Sequence, residues 1–366
     1  MTVYLNGRFL TQPFSGVQRY SLSLVRALDA LLAEGADPAG GSFALLCPPD
    51  TPPPELRRIE VRRVGRRQGQ AWEQLDLPRH ARGGLLVSLG NTAPLSKRAQ
   101  VVAIHDIASF VVPEAFSPAF RRWYRFLMPS LGRLARRVAT VSRFSAGELT
   151  RHAGIPQSKI RVVYNSADHM LETAPDPRVL ERAGVGDGPY VLAVCNRAPH
   201  KNFRAVLEAQ ALLGDVPYEF VHVGEANPRV FGHVGEHAAE RARSVGRVTD
   251  GELRALYERA ACFVFPSIYE GFGLPPLEAM TCGCPVVAAE AASIPEVCGD
   301  AALYFDPRDP AALAERIARV MGDAGLRAEL SRRGRERAER FSWRRSAEAL
   351  LEVIREAAGD QSPRPR

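Results

Sequence analysis

Two α/β halves, each a doubly wound parallel sheet, are what this 366-residue sequence predicts. Three observations lead there. Short apolar runs alternate with longer amphipathic stretches, the pattern of parallel βαβ units. The alternation stops at a polar stretch, Ala167–Asp187, which contains Pro175 and Pro177, and then restarts. Hydrophobic residues make up 46% of the chain, enough at this length for two separate cores.

The first half holds six apolar runs of strand length: Val3–Leu5, Phe43–Leu46, Leu85–Ser88, Val101–Ile104, Arg137–Val141 and Ile160–Val163. Between them Val17–Leu32, Pro118–Leu134 and Arg143–His152 are long and amphipathic, hence helical. In the second half the strands Tyr190–Val194, Tyr218–Val223, Cys262–Phe265, Pro285–Ala289 and Ala302–Phe305 alternate with helices Asn202–Leu213 and Asp250–Arg259. A further helix opens at Pro275–Pro276 and stops near Gly283, because proline suits a first turn and glycine the position past the end. Two long helices close the chain near Ala358. The expected division is an N-terminal domain over 1–168, a linker over 169–187 with one short helix, and a second domain over 188–341. A C-terminal helix over 342–358 is expected to pack back on the first domain, and the tail 359–366 to be disordered.

Bulk properties narrow the function classes. A formal charge of +7 suits anionic ligands such as pyrophosphates, an acidic membrane surface or nucleic acid, without choosing among them. No segment approaches the roughly 20 apolar residues that span a bilayer, and MTVYLNGRFL reads as a first strand rather than a signal peptide. Cys47, Cys195, Cys262, Cys282, Cys284 and Cys298 sit mostly inside apolar runs, so buried thiols in a reduced, cytoplasmic protein are expected. The lone C-x-C of Cys282 and Cys284 has no second Cys/His pair at ligand spacing.

The densest signal is FPSIYEGFGLPPLEAM, Phe265–Met280, which follows a strand and opens a helix. Glu270 lies in the loop and Glu278 is read on the first turn. Gly271 and Gly273 flank Phe272, so backbone N–H groups can approach a ligand closely, and the helix start adds partial positive charge. Diphosphate and vicinal hydroxyls fit such a place, carboxylates being good acceptors for the latter. The glutamate spacing alone is weak, since Glu348 and Glu356 repeat it on a solvated face. A second patch, VLAVCNRAPHKNF, also follows a strand and opens a helix, with Arg197 and Lys201 as two cations beside the helix start. Cations there stabilise a leaving diphosphate. No D-x-D occurs in the chain, so no metal is expected and the cations must take its place.

In the first half Ser15-Gly16 precedes the helix of SGVQRYSLSLVRAL; Ser15 can cap it, or Gly16 can admit a ligand to the backbone. VVAIHDIASF sets His105-Asp106 at the carboxyl end of an apolar strand, where sheets of this type bind ligands. A histidine there is also a common structural residue, and Asp106 can fix its tautomer or face an acceptor. Asn91 in SLGNTAPL, Ser142 and Arg143 in TVSRFSAGEL, and Asn165 in VYNSAD join the candidates. Two basic stretches complete the inventory. Arg57, Arg58, Arg62, Arg63, Arg66 and Arg67 fall in a loop-rich region. Arg121, Arg122, Arg125, Arg133, Arg136 and Arg137 accompany Trp123, Tyr124, Phe126 and Leu127. Such a helix can lie on an anionic membrane or present a solvated face; no nucleic-acid motif accompanies the arginines.

The stretch VGRVTDGELRALYERAACFVFPSIYEGFGLPPLEAMTCGCPVVAAEAASIPEVCGDAALYFDP resembles the E-x7-E region of the retaining glycosyltransferases of family 4, and the likeness runs across essentially the whole chain. It implies a GT-B fold, two Rossmann-like domains facing a cleft. By that resemblance Glu278 binds the ribose hydroxyls of a nucleotide-sugar donor and Glu270 the donor sugar. The amides of Gly271, Phe272, Gly273 and Leu274 hold sugar and phosphate oxygens, and Val248 and Thr249 meet the base. Pro199, Lys201 and Asn202 match the family's phosphate loop, with His200 where arginine is common. His105 matches a histidine near the sugar 6-hydroxyl, and Gly16 a glycine at the cleft floor. Asp106, Asn91 and Asn165 are placed on the acceptor side.

The expected reaction is hexosyl transfer, mannosyl slightly favoured, with retained configuration and no cofactor beyond the donor. The expected acceptor is a glycan or lipid-linked saccharide of cell-surface polysaccharide, and an anionic membrane is a candidate partner while nucleic acid is not. His105, Lys201, Glu270 and Arg197 are the residues expected to act on the reacting groups. A nucleotide-sugar 2-epimerase on the same fold and a non-catalytic sugar-nucleotide or membrane-binding protein are the rivals. An NAD-dependent dehydrogenase is disfavoured, because no G-x-G-x-x-G follows the first strand.

Overall fold

A computed structural model describes residues 1–36, 41–194, 198–224 and 242–359. The chain forms two compact units, Met1–Asn165 with Ser342–Arg366, and Ser166–Phe341.

The first unit is built on seven parallel strands: β1 Val3–Asn6, β2 Phe43–Cys47, β3 Glu60–Arg63, β4 Leu85–Ser88, β5 Gln100–Ala103, β6 Arg137–Thr140 and β7 Ile160–Val162. Their spatial order is β3-β2-β1-β4-β5-β6-β7. Val3 of β1 is in register with Phe43 of β2 on one side and Leu85 of β4 on the other. Strand order therefore reverses between β1 and β4, the place where doubly wound sheets leave a crevice beyond their carboxyl ends. Every residue of β2, β4 and β5 is buried, as expected for a sheet covered on both faces. The helix Gly16–Ala33 lays Leu24, Val25, Leu28 and Leu31 into the core. The C-terminal helix Trp343–Gly359 packs against it, burying Trp343, Leu350, Leu351, Val353 and Ile354. Arg137 and Arg161 fasten that helix through Glu356 at 2.8 and 2.9 Å.

The second unit repeats the plan with six parallel strands: β8 Tyr190–Val194, β9 Glu219–Val223, β10 Ala242–Gly246, β11 Cys262–Phe265, β12 Val286–Ala289 and β13 Ala302–Phe305. Their order is β10-β9-β8-β11-β12-β13, so the reversal falls between β8 and β11. Leu192, Phe263, Val264, Val287, Leu313 and Ile317 are fully buried in its core. Helix ends follow local chemistry: Thr249 and Glu252 form a reciprocal capping box, and Asp309 accepts from the amides of Ala311 and Ala312 at 3.0 Å ahead of Pro310.

Three sequence expectations need correction. The stretch 169–187 is not a linker but part of the second unit, with two short helices, His169–Glu172 and Arg178–Arg182. Met170 and Val179 are fully buried, and Arg254 Nη1 donates to the carbonyls of Met170, Leu171 and Thr173 at 3.0, 3.0 and 2.8 Å. The domain boundary accordingly falls at Asn165/Ser166 rather than after 168. The arginine-rich region around 57–67 contains the edge strand β3, and its amides serve two aspartates. Those of Arg57, Arg58 and Ile59 donate to Asp29, and those of Arg66 and Arg67 to Asp76. The last pair holds the Asp76 carboxyl down at about 2. The tail 360–366 lies outside the described residues. Five cysteines, Cys47, Cys262, Cys282, Cys284 and Cys298, are buried free thiols, and Cys195 lies outside the described residues.

Candidate functional site

In the second unit the loops leaving β8 and β11 are laced together. After β8 a 3-10 turn, Pro199–Lys201, ends at Asn202 in the left-handed region, φ 52°, and the helix Phe203–Leu213 begins. The amide of Ile268 and the hydroxyl of Ser267 donate to the His200 carbonyl at 2.8 and 3.2 Å. Asn202 Nδ2 donates to the carbonyls of Pro266 and Pro307 at 3.2 and 2.8 Å. This lacing brings Lys201 Nζ to 2.5 Å from Glu270 Oε1. Their side chains are 21% and 13% exposed, so the pair is shielded yet open on one side. A charge-assisted contact of this kind fixes both groups. An anion can draw on the ammonium while a hydroxyl donates to the carboxylate.

The segment after Glu270 turns sharply into the helix Leu274–Thr281. Gly273 has φ 95°, a conformation that strains any residue with a Cβ. Pro275 and Pro276 lie in the first turn, where their missing N–H groups have no helical partner to lose. Phe272 is buried, its ring edge-on to Phe341 at 5.7 Å. Glu278 is the fifth residue of this helix, in its second turn rather than its first. The residue is 6% exposed, and its carboxylate accepts from His169 Nε2 at 3.0 Å. Tyr257, fully buried, has its phenol pushed well above its ordinary value by burial and then by the Glu278 charge.

Thr249 serves the start of the helix Asp250–Arg259. Its amide donates to Glu252 Oε2 at 2.8 Å, and its hydroxyl accepts from the Glu252 amide at 3.3 Å. Val248 beside it is half-buried. Arg197 lies outside the described residues.

In the first unit His105 is 6% exposed, and its Nε2 donates to the Leu89 carbonyl at 2.8 Å, since a carbonyl only accepts. Burial lowers its imidazole to about 4, so the ring is neutral and Nδ1 is its acceptor. Tyr20 meets the ring edge-on at 4.6 Å. Asn91, left-handed at φ 64°, accepts from the His105 amide through Oδ1 at 2.8 Å. It therefore holds the His105 backbone. The Leu89 carbonyl, not Asp106, fixes the imidazole tautomer; Asp106 Oδ1 accepts from the Ala108 amide at 2.8 Å. Gly16 is the exposed first residue of its helix, and an added Cβ would meet nothing within 4 Å. Ser15 makes no capping bond to the backbone; its hydroxyl lies 2.5 Å from Gln18 Oε1. Ser142 does cap, accepting from the Ser145 amide at 2.9 Å, and Asn165 is buried at the end of the unit.

Two features escaped the sequence reading. His169 sat in what read as a linker. A buried cluster also lies at the strand reversal of the first unit. Asn6 Nδ2 donates to Glu73 Oε1 at 2.8 Å and to Ser88 Oγ at 3.2 Å. Arg8 Nη1 donates to Glu73 Oε2 at 3.1 Å and to Thr92 Oγ1 at 2.8 Å. Burial raises the Glu73 carboxyl against the lowering pull of Arg8. The usable signal was Asn6-Gly7-Arg8 directly after the first strand, where ligands gather in such sheets.

Two family models match, one in each half of the chain. The model of the glycosyl transferases group 1 matches residues 181–337, and that of Glycosyltransferase Family 4 matches residues 14–171. The chain is 33% identical over 362 residues to the O-antigen chain mannosyltransferase B of Escherichia coli, covering 90% of this chain and 93% of that one. Among solved structures, sucrose-phosphate synthase from Thermosynechococcus elongatus superposes with a TM-score of 0.76 at 20% identity, over 98% of this chain and 99% of that one. Anabaena HepE in complex with UDP and glucose gives 0.70 at 20% identity, over 96% and 98%. With its two Rossmann-like sheets, the fold is GT-B.

Proposed function

As the chain belongs to glycosyltransferase family 4 and is a glycosyltransferase, we propose that it moves a mannosyl group from a nucleoside-diphosphate sugar, GDP-mannose first, onto a glycan or lipid-linked saccharide during assembly of cell-surface polysaccharide. The observation that carries the site is the convergence of Lys201 and Glu270, 2.5 Å apart, on loops beside the strand reversal of the second unit. The choice of mannose rests on the likeness to the O-antigen mannosyltransferase.

In this reading the bond from the anomeric carbon to the diphosphate oxygen lengthens first. The ammonium of Lys201 meets the negative charge that builds on the leaving diphosphate. The carboxylate of Glu270 accepts from sugar hydroxyls, and that of Glu278 from the ribose. Neutral His105 accepts a sugar hydroxyl at Nδ1. The acceptor oxygen then bonds to the anomeric carbon on the face the diphosphate leaves. Its proton passes to a departing phosphate oxygen, and configuration is retained. No metal takes part. Incubation with GDP-, UDP- and dTDP-sugars and saccharide acceptors, with and without a chelator, tests this. An α-mannoside formed from GDP-mannose in the presence of chelator is the expected result; inverted configuration, or turnover of a UDP-sugar without acceptor, rejects it.

Cytoplasmic location and contact with an anionic bilayer belong to the same proposal. Among the described residues no helix is long and apolar enough to cross a membrane. The amino-terminal half of the helix Pro118–Leu134 leaves Phe120, Trp123 and Phe126 exposed beside Arg122 and Arg125. Aromatic rings and arginines on one stretch suit an anionic interface. Co-flotation with phosphatidylglycerol vesicles, absent with phosphatidylcholine and lost in W123S/F126S, is the expected outcome.

A further inference from the structure

Among the described residues three non-glycine positions have a left-handed backbone: Asn91 at φ 64°, Asn202 at 52° and Ala292 at 53°. Asparagine tolerates this region, and both asparagines use their side chains beside candidate residues. Asn91 accepts from the His105 amide, and Asn202 laces the loop of Lys201 to two carbonyls. Ala292 has only a methyl group. Its Cβ meets the steric cost of the region with no side-chain hydrogen bond to offset it. Strain of this kind persists only where the surroundings impose it, and it gathers at functional sites.

Ala292 lies in the loop between β12 and the short helix Ile294–Cys298. β12 is the neighbour of β11, whose own loop carries Glu270. The turn at Ala292 leads into Ser293, which is fully buried. A serine just before a helix ordinarily caps it. Ser293 does not: its backbone is already helical, φ −82° and ψ −7°, and its side chain makes no capping bond. The hydroxyl instead donates to the backbone carbonyl of Glu270 at 2.9 Å. Beside it, Ile294 Cγ1 lies 3.8 Å from where a Cβ on Gly273 would stand, so the same turn backs the glycine segment.

Glu270 is thus held at both ends, its carboxylate by Lys201 at 2.5 Å and its carbonyl by Ser293. Side chains on loops lose precision unless a supporting shell of hydrogen bonds fixes them. We propose that Ser293 is a positioning residue for Glu270. The left-handed turn at Ala292 fixes its hydroxyl, the hydroxyl fixes the Glu270 backbone, and the backbone sets the carboxylate opposite Lys201. Ser293 acts through Glu270, not on the reacting groups. The placement stands on geometry alone, while its effect on turnover rests on the glycosyltransferase reading above.

The test uses the full chain and two measurements. The first is NMR of the chain made with isotope-labelled lysine, without any donor. Its lysines are Lys97, Lys159 and Lys201, so the Lys201 ammonium is assigned by its loss in K201A. E270Q marks where that signal lies with the pair broken. S293A should move it toward the E270Q position and leave those of Lys97 and Lys159 in place. A Lys201 signal unmoved in S293A overturns the proposal. The second measurement is a pair of double-mutant cycles on transfer from saturating GDP-mannose. S293A alone should lower kcat by about tenfold, the scale of one hydrogen bond, with GDP affinity not reduced. In an E270Q background the same substitution should cost about twofold or less, because its target is already gone, and in E278Q about tenfold again. Equal losses in both backgrounds mark general damage to the fold and reject the positioning role. S293C, a weaker donor of similar size, should fall between serine and alanine on both readouts; any other order counts against the proposal. Absence of transfer from every nucleotide sugar overturns the enzyme reading, while the lysine signal still decides the placement.

Discussion

His169 and Glu278, 109 positions apart in sequence, meet at 3.0 Å between Nε2 and Oε1 inside the second unit. The carboxylate assigned to ribose binding is thus held by a residue that carried no signal in the sequence. E278Q should weaken nucleotide binding by about 10- to 100-fold, the scale of one charged hydrogen bond of about 1.5–3 kcal/mol. H169A should weaken it less and also lower the melting temperature of the second unit, because a buried charge loses its donor. Calorimetric titration with GDP and UDP checks both; unaltered affinity in E278Q removes Glu278 from the site.

The Lys201–Glu270 pair predicts opposite effects of its two removals on product binding. K201A should cut transfer by about 10²- to 10³-fold, as loss of one preorganised charge donor does. E270Q should also lower turnover, yet leave nucleoside-diphosphate affinity equal or higher, since a carboxylate beside the phosphates is gone. Equal losses of diphosphate affinity in both variants would contradict the assigned roles.

Gly16 offers a test that separates fold from function. Nothing lies within 4 Å of a Cβ added there, so the fold itself does not demand glycine. G16A should keep or slightly raise stability, by up to about 1 kcal/mol from helix propensity. Transfer should nevertheless fall at least tenfold if a ligand approaches that backbone. Normal turnover in G16A would place the ligand elsewhere.

Two histidines contribute to the acid limb of stability, beside carboxylates such as Asp76. Burial lowers His105 to about 4 and His222 to about 3, from 6.5. Both are neutral when folded, so the unfolded chain binds more protons below pH 6.5. Their contribution is complete above 6.5 and is lost as pH falls, toward 4 for His105 and toward 3 for His222. Each loses about 1.4 kcal/mol per pH unit inside its window. Neither ring nitrogen of His222 has a partner, and Phe203 lies against its ring at 4.6 Å. H222L should therefore flatten the pH dependence of unfolding between pH 6.5 and 4 without loss at pH 7.5. Denaturant titrations at four pH values provide the measurement.

Most of the architecture was legible because the buried strands are short apolar runs between amphipathic helices. β3 was not, since Glu60-Val61-Arg62-Arg63 is a charged edge strand, a composition that also marks loops. β10 was missed for the same reason: Ala242–Gly246 has a single large apolar residue, Val245. In the site, the glutamates and Lys201 stood out because loop, glycine and proline chemistry surrounded them. His169, Glu73 and Arg8 act through contacts that only the folded chain creates. The 169–187 stretch misled because its prolines and charges read as a spacer, although Met170 and Val179 are core residues.

The last helix, Trp343–Gly359, completes the unit that the first residues begin. Every residue of the second unit therefore precedes in sequence the helix that finishes the first. Until Leu350, Leu351 and Ile354 emerge, the helix Gly16–Ala33 lacks the cover it has in the finished protein. An amino-terminal domain that folds as soon as it is made is the usual order, and the first unit here lacks its last helix until the chain is nearly complete. A chain cut before Ser342 keeps every residue of the second unit and leaves the helix Gly16–Ala33 of the first uncovered.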